Sequence, residues 1–200
     1  RTTGDGVETI YVHDALNRLK TVSSSGLPTP ITYVYDELSQ RTSMADATGT
    51  STYSYDGLGR LTQAVQPNGT LGYGYDLDSN RTTLTYPTVG SVTYGFSPGG
   101  YLSTVTDWAT RQSGYTYSAA GRVKTLTLPN GMTTTYSYDR AQRLTNLVNA
   151  TASSTVSSHA YTLDAEGNRT ALDEYVQGIT QPVQTWSPRS PSQKWCSRLG

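Results

Sequence analysis

Tyr53-Ser54-Tyr55-Asp56-Gly57-Leu58-Gly59-Arg60-Leu61-Thr62 returns almost intact as Tyr136-Ser137-Tyr138-Asp139-Arg140-Ala141-Gln142-Arg143-Leu144-Thr145. The shared frame is Tyr-x-Tyr-Asp, a short gap, Arg, then Leu-Thr. Weaker copies stand at Tyr11-Val12-His13-Asp14 with Arg18-Leu19, Tyr33-Val34-Tyr35-Asp36 with Arg41-Thr42, and Tyr73-Gly74-Tyr75-Asp76 with Arg81-Thr82. Tyr115-Thr116-Tyr117-Ser118 with Arg122, and Tyr161-Thr162-Leu163-Asp164 with Arg169, continue the series; Tyr94-Gly95-Phe96-Ser97 is a decayed copy whose Arg has become Tyr101. The leading Tyr falls at 11, 33, 53, 73, 94, 115, 136 and 161, in steps of 22, 20, 20, 21, 21, 21 and 25. A constant period of this length marks a tandem-repeat architecture. A bias toward Tyr alone would not fix the Asp and Arg offsets as well.

Within a copy the pattern is that of strands. Leu71, Tyr73 and Tyr75 alternate with Gly72 and Gly74, and Val92, Tyr94 and Phe96 with Thr93 and Gly95, the period of two that a half-buried strand requires. Leu61 and Val65 are expected on one face. Arg follows Asp by four residues at 14/18, 56/60 and 139/143 but by five at 36/41, 76/81 and 164/169, which suggests two loop types. Gly57, Gly59, Gly121 and Gly167 lie in these gaps, where Asp and Gly favour tight turns. A second turn lies between copies: Pro67-Asn68-Gly69 and Pro129-Asn130-Gly131 contain Asn-Gly, the signature of a type I′ hairpin, and Ser25-Gly26 fills the same role near the start. The segment 140–147 could pass for one or two helical turns, but it coincides with a gap and is read as a turn. The fold class is therefore all-β: tandem antiparallel β-hairpin repeats, two strands per period, forming a long coiled sheet over residues 1–176. Residues 177–200, with Pro182, Pro188 and Pro191, carry no repeat and are read as an irregular tail.

Composition narrows the function. The 200 residues include 16 Tyr, one Phe and 19 Gly, with 15 % charged residues and zero formal net charge. Abundant Tyr, Thr and Val argue against disorder. Without a basic stripe to neutralise phosphates, nucleic acid is not expected as a partner, and no apolar run approaches the ~20 residues of a membrane-spanning helix. Cys196 is the single cysteine, so no internal disulfide forms. Arg1 stands where an initiator Met would, so the piece is expected to be internal to a longer product.

The candidate positions are those of the frame: Tyr33, Tyr35, Asp36, Arg41, Tyr53, Tyr55, Asp56, Gly59, Arg60, Asn68, Gly69, Tyr73, Tyr75, Asp76, Arg81, Tyr115, Tyr117, Arg122, Asn130, Gly131, Tyr136, Tyr138, Asp139, Arg143, Asp164 and Arg169. Their expected role is structural. One Asp per period supplies too few oxygens for calcium and suits a turn. Each Arg is expected to pair with a neighbouring Asp or carbonyl and lay its stem over a Tyr. The Tyr ladder could stack on sugars, but its fixed strand position favours cross-strand packing. His13 and His159 lie too far apart in sequence to suggest a triad or metal site. No catalytic residue, cofactor or metal is expected.

The stretch from Tyr53 to Arg81, with Tyr-x-Tyr-Asp-x-x-Gly-Arg-Leu-Thr, Pro-Asn-Gly and a second Tyr-x-Tyr-Asp, resembles the RHS or YD repeat of bacterial RHS proteins, toxin-complex B and C components and teneurins. The resemblance spans about residues 7–176. It implies a spiralling sheet that closes into a hollow shell, which in bacterial members encloses a variable C-terminal toxin. The implied partners are the remaining repeats of the same parent chain and an enclosed toxin domain, and the implied location is secreted or cell-surface. The alternative is a teneurin-like or wall-associated array binding surface glycans. The chain has no Asp-Pro pair, so the protease-like core motif that releases the cargo in this family is missing from it. A far-ultraviolet circular dichroism spectrum of the purified chain is expected to be β-rich; a helix-dominated spectrum refutes this architecture.

Overall fold

The computed structural model describes residues 6–179, and the readings of residues 1–5 and of the tail beyond 179 lie outside them. Sixteen strands and no helix occur among the described residues. The chain divides into two units, one ending at Tyr94 and one beginning at Gly95. The first contains β1 (Thr9–His13), β2 (Leu19–Ser24), β3 (Ile31–Tyr35), β4 (Arg41–Asp46), β5 (Gly49–Tyr55), β6 (Leu61–Gln66), β7 (Gly69–Tyr75), β8 (Arg81–Tyr86) and all but the end of β9 (Gly90–Phe96). The second contains β10 (Leu102–Thr106), β11 (Gln112–Tyr117), β12 (Val123–Thr127), β13 (Thr133–Tyr138), β14 (Leu144–Ala150), β15 (Thr155–Leu163) and β16 (Arg169–Val176). In each unit every strand pairs antiparallel with its successor. Short turns at both rims allow no other order.

Matching tyrosines take matching places. Tyr33 lies opposite Met44, Tyr53 opposite Ala64, Tyr73 opposite Leu84, Tyr115 opposite Leu126 and Tyr136 opposite Leu147. These rows continue onto Ser51, Leu71 and Val92 in the first unit. Of the described residues only Ser51, Ala64, Val92 and Thr134 are buried, and the first three sit in these rows. The sheet therefore gathers one thin apolar strip along its Tyr face and has no core of ordinary depth.

The two loop types expected from the Arg spacing are one. Ten turns of identical length close the same way: the first residue's N–H donates to the carbonyl of the fifth, and the fourth residue's N–H donates back to the carbonyl of the first. Asp36, Asp76 and Asp164 close on Gln40, Asn80 and Asn168. Arg41, Arg81 and Arg169 are the first residues of the following strands. The extra residue is thus a strand residue, and the loop does not lengthen.

The fourth position is always left-handed, filled by glycine at Gly59 (φ +78°) and by other residues at Asn17, Ser39, Ser79, Thr110 and Gln142. Pro129-Asn130-Gly131 belongs to this same class, since Leu128 closes on Met132 and Gly131 has φ +81°. It is not a type I′ hairpin. Neither is Pro67-Asn68-Gly69. There Gln66 pairs with Gly69, Asn68 keeps negative φ, and proline fixes its own φ near −65°, whereas type I′ needs two positive values.

A bulge adjoins seven of the Tyr turns, on the strand that follows the turn. Tyr55 pairs with Leu61 but Ser54 with Gln63, leaving Thr62 unpaired. The extra residue reverses the alternation, so Leu61 stays on the Tyr face while Val65, opposite Thr52, points the other way and is 39 % exposed. The expected shared face of Leu61 and Val65 is corrected on this ground. The bulged Thr has a role here: the Thr62 and Thr145 hydroxyls of the repeated Leu-Thr, and that of Thr170 after Arg169, donate to the carbonyls of Ser54, Ser137 and Thr162.

A β-branched residue in left-handed conformation costs roughly 1–2 kcal/mol. Thr110→Gly is expected to raise stability in urea by up to about 1 kcal/mol, the relief being partly offset by glycine's unfolded-state entropy. Gly59→Ala is expected to lower it, since alanine bears the cost of the left-handed φ of +78° that glycine escapes. Opposite signs would refute the turn assignment.

Candidate functional site

The repeated residues converge on one rim, where each turn is a built electrostatic unit. In the Asp56 turn one carboxylate oxygen accepts the N–H groups of Leu58 and Arg60 at 2.9 and 3.0 Å, and the other takes Arg60 Nε at 2.7 Å. Asp14 holds Leu16 and Arg18 in the same manner, and Asp139 holds Arg143. Where the fifth residue is Asn, its amide replaces the guanidinium: Asn80 Nδ2 and Asn168 Nδ2 donate to Asp76 and Asp164 at 3.0 Å.

The arginine then reaches beyond its own turn. Arg18 Nη1 donates to the carbonyl of Asp36 and to Ser39 Oγ, Arg60 Nη1 to the carbonyl of Asp76 and to Ser79 Oγ, and Arg143 Nη1 to the carbonyl of Asp164. Each bridge joins an Arg-closed turn to the next turn on the same rim, which is Gln- or Asn-closed. In the first unit Arg-closed and Gln- or Asn-closed turns therefore alternate, whereas in the second Arg122 and Arg143 close consecutive turns.

The same guanidiniums cover tyrosine rings. Arg18 lies 4.8 Å over Tyr35 and Arg60 4.7 Å over Tyr75. The strand-borne arginines complete the series, with Arg41 over Tyr53 and Tyr33, Arg81 over Tyr94 and Arg169 over Tyr161. Each such contact contributes about 0.5–1 kcal/mol at an exposed site. In the decayed copy Tyr101 takes the place of Arg and its ring stacks on Tyr117 at 4.8 Å. The chemistry changes there but the contact is kept.

The second Tyr of each frame carries a bond that the sequence did not disclose. Tyr35, Tyr55, Tyr75, Tyr117 and Tyr138 donate their hydroxyls at 2.8–2.9 Å to the carbonyls of Leu19, Arg41, Leu61, Leu102 and Val123. Each acceptor is the first strand residue after the preceding turn on that rim, so each tyrosine stitches its strand to the one before it. Burial, with Tyr115 nearby as a smaller cause, raises the Tyr117 pKa. His13, Phe96 and Leu163 occupy this position without a phenol.

Not every expected residue joins the network. Ser118 replaces Asp before Arg122 and offers only its hydroxyl to the Arg122 N–H. Asn68 is exposed at the opposite rim. One unit was missed: Asp107 binds Ala109 N–H, Arg111 N–H and Arg111 Nε, repeating the Asp turn on the rim where the frame has none. The signal was present in the Asp107/Arg111 spacing, but no Tyr-x-Tyr precedes it. An open depression of about 460 Å³ lies beside it, lined by Asp107, Arg111, Leu128, Pro129 and Asn130. His159 Nε2 meets Glu174 Oε1 at 3.1 Å and is far in sequence from His13. Among the described residues no group of three or more His, Cys, Asp or Glu could hold a metal ion.

A single-layer array of stitched hairpins defines a repeat-built wall. Residues 35–71 and 117–154 match the RHS Repeat family model. No curated protein matches it. Among solved structures it is similar to a crystallised TcdB2–TccC3 complex, with TM-score 0.71 and 18 % identity over 88 % of this chain and 11 % of that one. It is also similar to the Photorhabdus luminescens Tc holotoxin pore, with TM-score 0.69 and 18 % identity over 89 % of this chain and 11 % of that one. The chain thus spans about a tenth of the length of these neighbours.

The turn carboxylates predict an acid response. Backbone N–H donation from the fifth residue is the main cause that holds Asp14, Asp56 and Asp139 below the usual carboxylate range. Side-chain donation from Asn80, Arg111 and Asn168 is the main cause at Asp76, Asp107 and Asp164. A carboxylate whose pKa is lowered by folding stabilises the fold above its unfolded pKa of about 3.9, and this contribution is lost as pH falls through the lower folded value. Urea midpoints are expected to stay flat above about pH 5 and fall below about pH 4, less steeply in Asp56→Asn. Unchanged stability throughout would contradict the network.

Proposed function

We propose that this chain is one stretch of the wall of a hollow RHS shell that encloses a toxin at the C-terminal end of its parent protein, in a secreted toxin system. One observation carries the reading: the sheet has only a thin buried strip yet stitches every copy to its neighbours, as a wall rather than a compact domain must. The match over 88 % of the chain to a TcdB2–TccC3 complex at TM-score 0.71 supports it, as does the existence of a form of that complex without its hypervariable C-terminal region.

On this reading the segment performs no catalysis. Its aspartates are committed to turn N–H groups and arginines, and several rings that a sugar would need already lie under guanidiniums. Its partners are the other repeats of its parent and the enclosed polypeptide.

Limited proteolysis of the full parent protein tests the proposal. The C-terminal region is expected to resist trypsin while the shell is folded and to be cut within minutes once acid or urea opens it. Immediate cleavage of that region in the native protein would contradict enclosure.

A further inference from the structure

One turn keeps its arginine but lacks the carboxylate that the arginine elsewhere answers. In the Asp56 turn the carboxylate gathers the N–H of the third residue, the N–H of the fifth and the Nε of that fifth residue, Arg60. The turn Ser118-Ala119-Ala120-Gly121-Arg122 closes on the same backbone bonds, from Ser118 N–H to the Arg122 carbonyl and from Gly121 N–H to the Ser118 carbonyl. Gly121 is left-handed, as the fourth position requires, with φ +76°. A serine, however, brings one oxygen where an aspartate brings two. Ser118 Oγ accepts the Arg122 N–H at 3.2 Å, and the Ala120 N–H and the Arg122 guanidinium have no acceptor among the described residues. The donors of the Asp turn are in place and the anion they surround is missing.

The charge around this turn is unbalanced as well. Lys124 is the bulged residue of β12, between the Tyr117–Val123 and Thr116–Thr125 pairs. Arg140 stands in the next turn on the same rim, about 10 Å along at two strand intervals. Arg122, Lys124 and Arg140 are exposed, and none has an ion-pair partner among the described residues. The carboxylate of that next turn, Asp139, is already held by the N–H and Nε of Arg143. From Ser97 to Tyr138 the single acidic residue is Asp107, which is paired with Arg111 on the opposite rim. The preceding turn on this rim, Ser97 to Tyr101, contributes no charge. It does bring the Tyr101 hydroxyl against Gly121, where a Cβ would stand 2.5 Å from it.

We propose that the Ser118 turn binds an external carboxylate in the place of the missing aspartate side chain. One oxygen takes the N–H groups of Ala120 and Arg122, the other takes the Arg122 guanidinium, and Lys124 and Arg140 supply the attracting field. The Asp14, Asp56 and Asp107 turns each show the same three donors satisfied by one carboxylate, so the chain itself defines the chemistry of the ligand. Hydrogen bonds to an ionised acceptor are about twice as strong as neutral ones, and converging backbone N–H groups favour an anion. The two sources of such a group are a small organic acid and the acidic side chain of another polypeptide segment. The site depends on the turn alone, so it stands whether or not the chain walls a toxin.

Amide NMR of the native chain, with sodium acetate replacing sodium chloride at constant ionic strength, tests the proposal. The Ala120 and Arg122 N–H resonances and that of Arg122 Nε are expected to shift saturably. Ser118→Asp supplies the carboxylate from within. It is expected to show those shifts without acetate, to weaken acetate binding at least about tenfold, and to raise the urea midpoint in chloride. Arg122→Gln is expected to weaken acetate binding to a similar degree, with an unchanged β-type circular dichroism spectrum. A blocked Gly-Asp-Gly peptide, titrated beside a Gly-Asn-Gly control, separates the two sources. Binding tighter than acetate assigns a polypeptide side chain, and binding no tighter assigns a small acid. The proposal is overturned if neither carboxylate probe gives a saturable shift at Ala120 and Arg122, or if Ser118→Asp responds to acetate as the native chain does.

Discussion

A sheet open to water on both faces has no deep interior to fix its register, and this constraint governs everything else in the molecule. The hydrophobic effect acts in proportion to the apolar area removed from water, and here little is removed beyond the strip around Ala64 and Val92. Register must come from directional bonds instead. The rim supplies them: an Asp-closed turn of fixed length, an arginine that ties it to the next turn, and a tyrosine hydroxyl that reaches back to a defined carbonyl on the preceding strand. Each bond demands one register and no other. A slip by a single residue would turn the tyrosines to the wrong face and strand both partners.

This arrangement suits a repeat array. Stability divides into units and interfaces between neighbours, and here the interface is concentrated at the rim, where Arg18, Arg60 and Arg143 cross from turn to turn. The role also survives drift in chemistry. Tyr101 stacks on Tyr117 where other copies place a guanidinium over a tyrosine, and Asn80 and Asn168 answer their aspartates where other copies use arginine. What persists is a flat group over the next tyrosine and a donor for the turn carboxylate.

Much of this was legible in the residues. The eight tyrosine positions fixed the period, the alternation around Tyr73 and Tyr94 fixed the strands, and the four-residue Asp–Arg spacing named the turn pairs Asp14/Arg18, Asp56/Arg60 and Asp139/Arg143. The loop lengths were misread because spacing in sequence does not say where a loop ends. Arg41, Arg81 and Arg169 looked like turn residues in longer loops, but Gln40, Asn80 and Asn168 close those turns. Likewise the Thr62 bulge reversed the face of Val65, because one unpaired residue breaks an alternation that the sequence alone presents as continuous. Proline at 67 should have argued against a type I′ turn on its fixed φ alone. The tyrosine-to-carbonyl bonds left no signal, since backbone acceptors carry no side-chain signature.

The heat capacity change of unfolding tests the central claim most directly, because apolar exposure raises it and polar exposure lowers it. A coreless sheet held by polar bonds is expected to give a calorimetric value well below the usual 12–15 cal/mol/K per residue. A value within that range would mean that a substantial apolar interior forms after all, and the account of a wall held in register by its rim would fail.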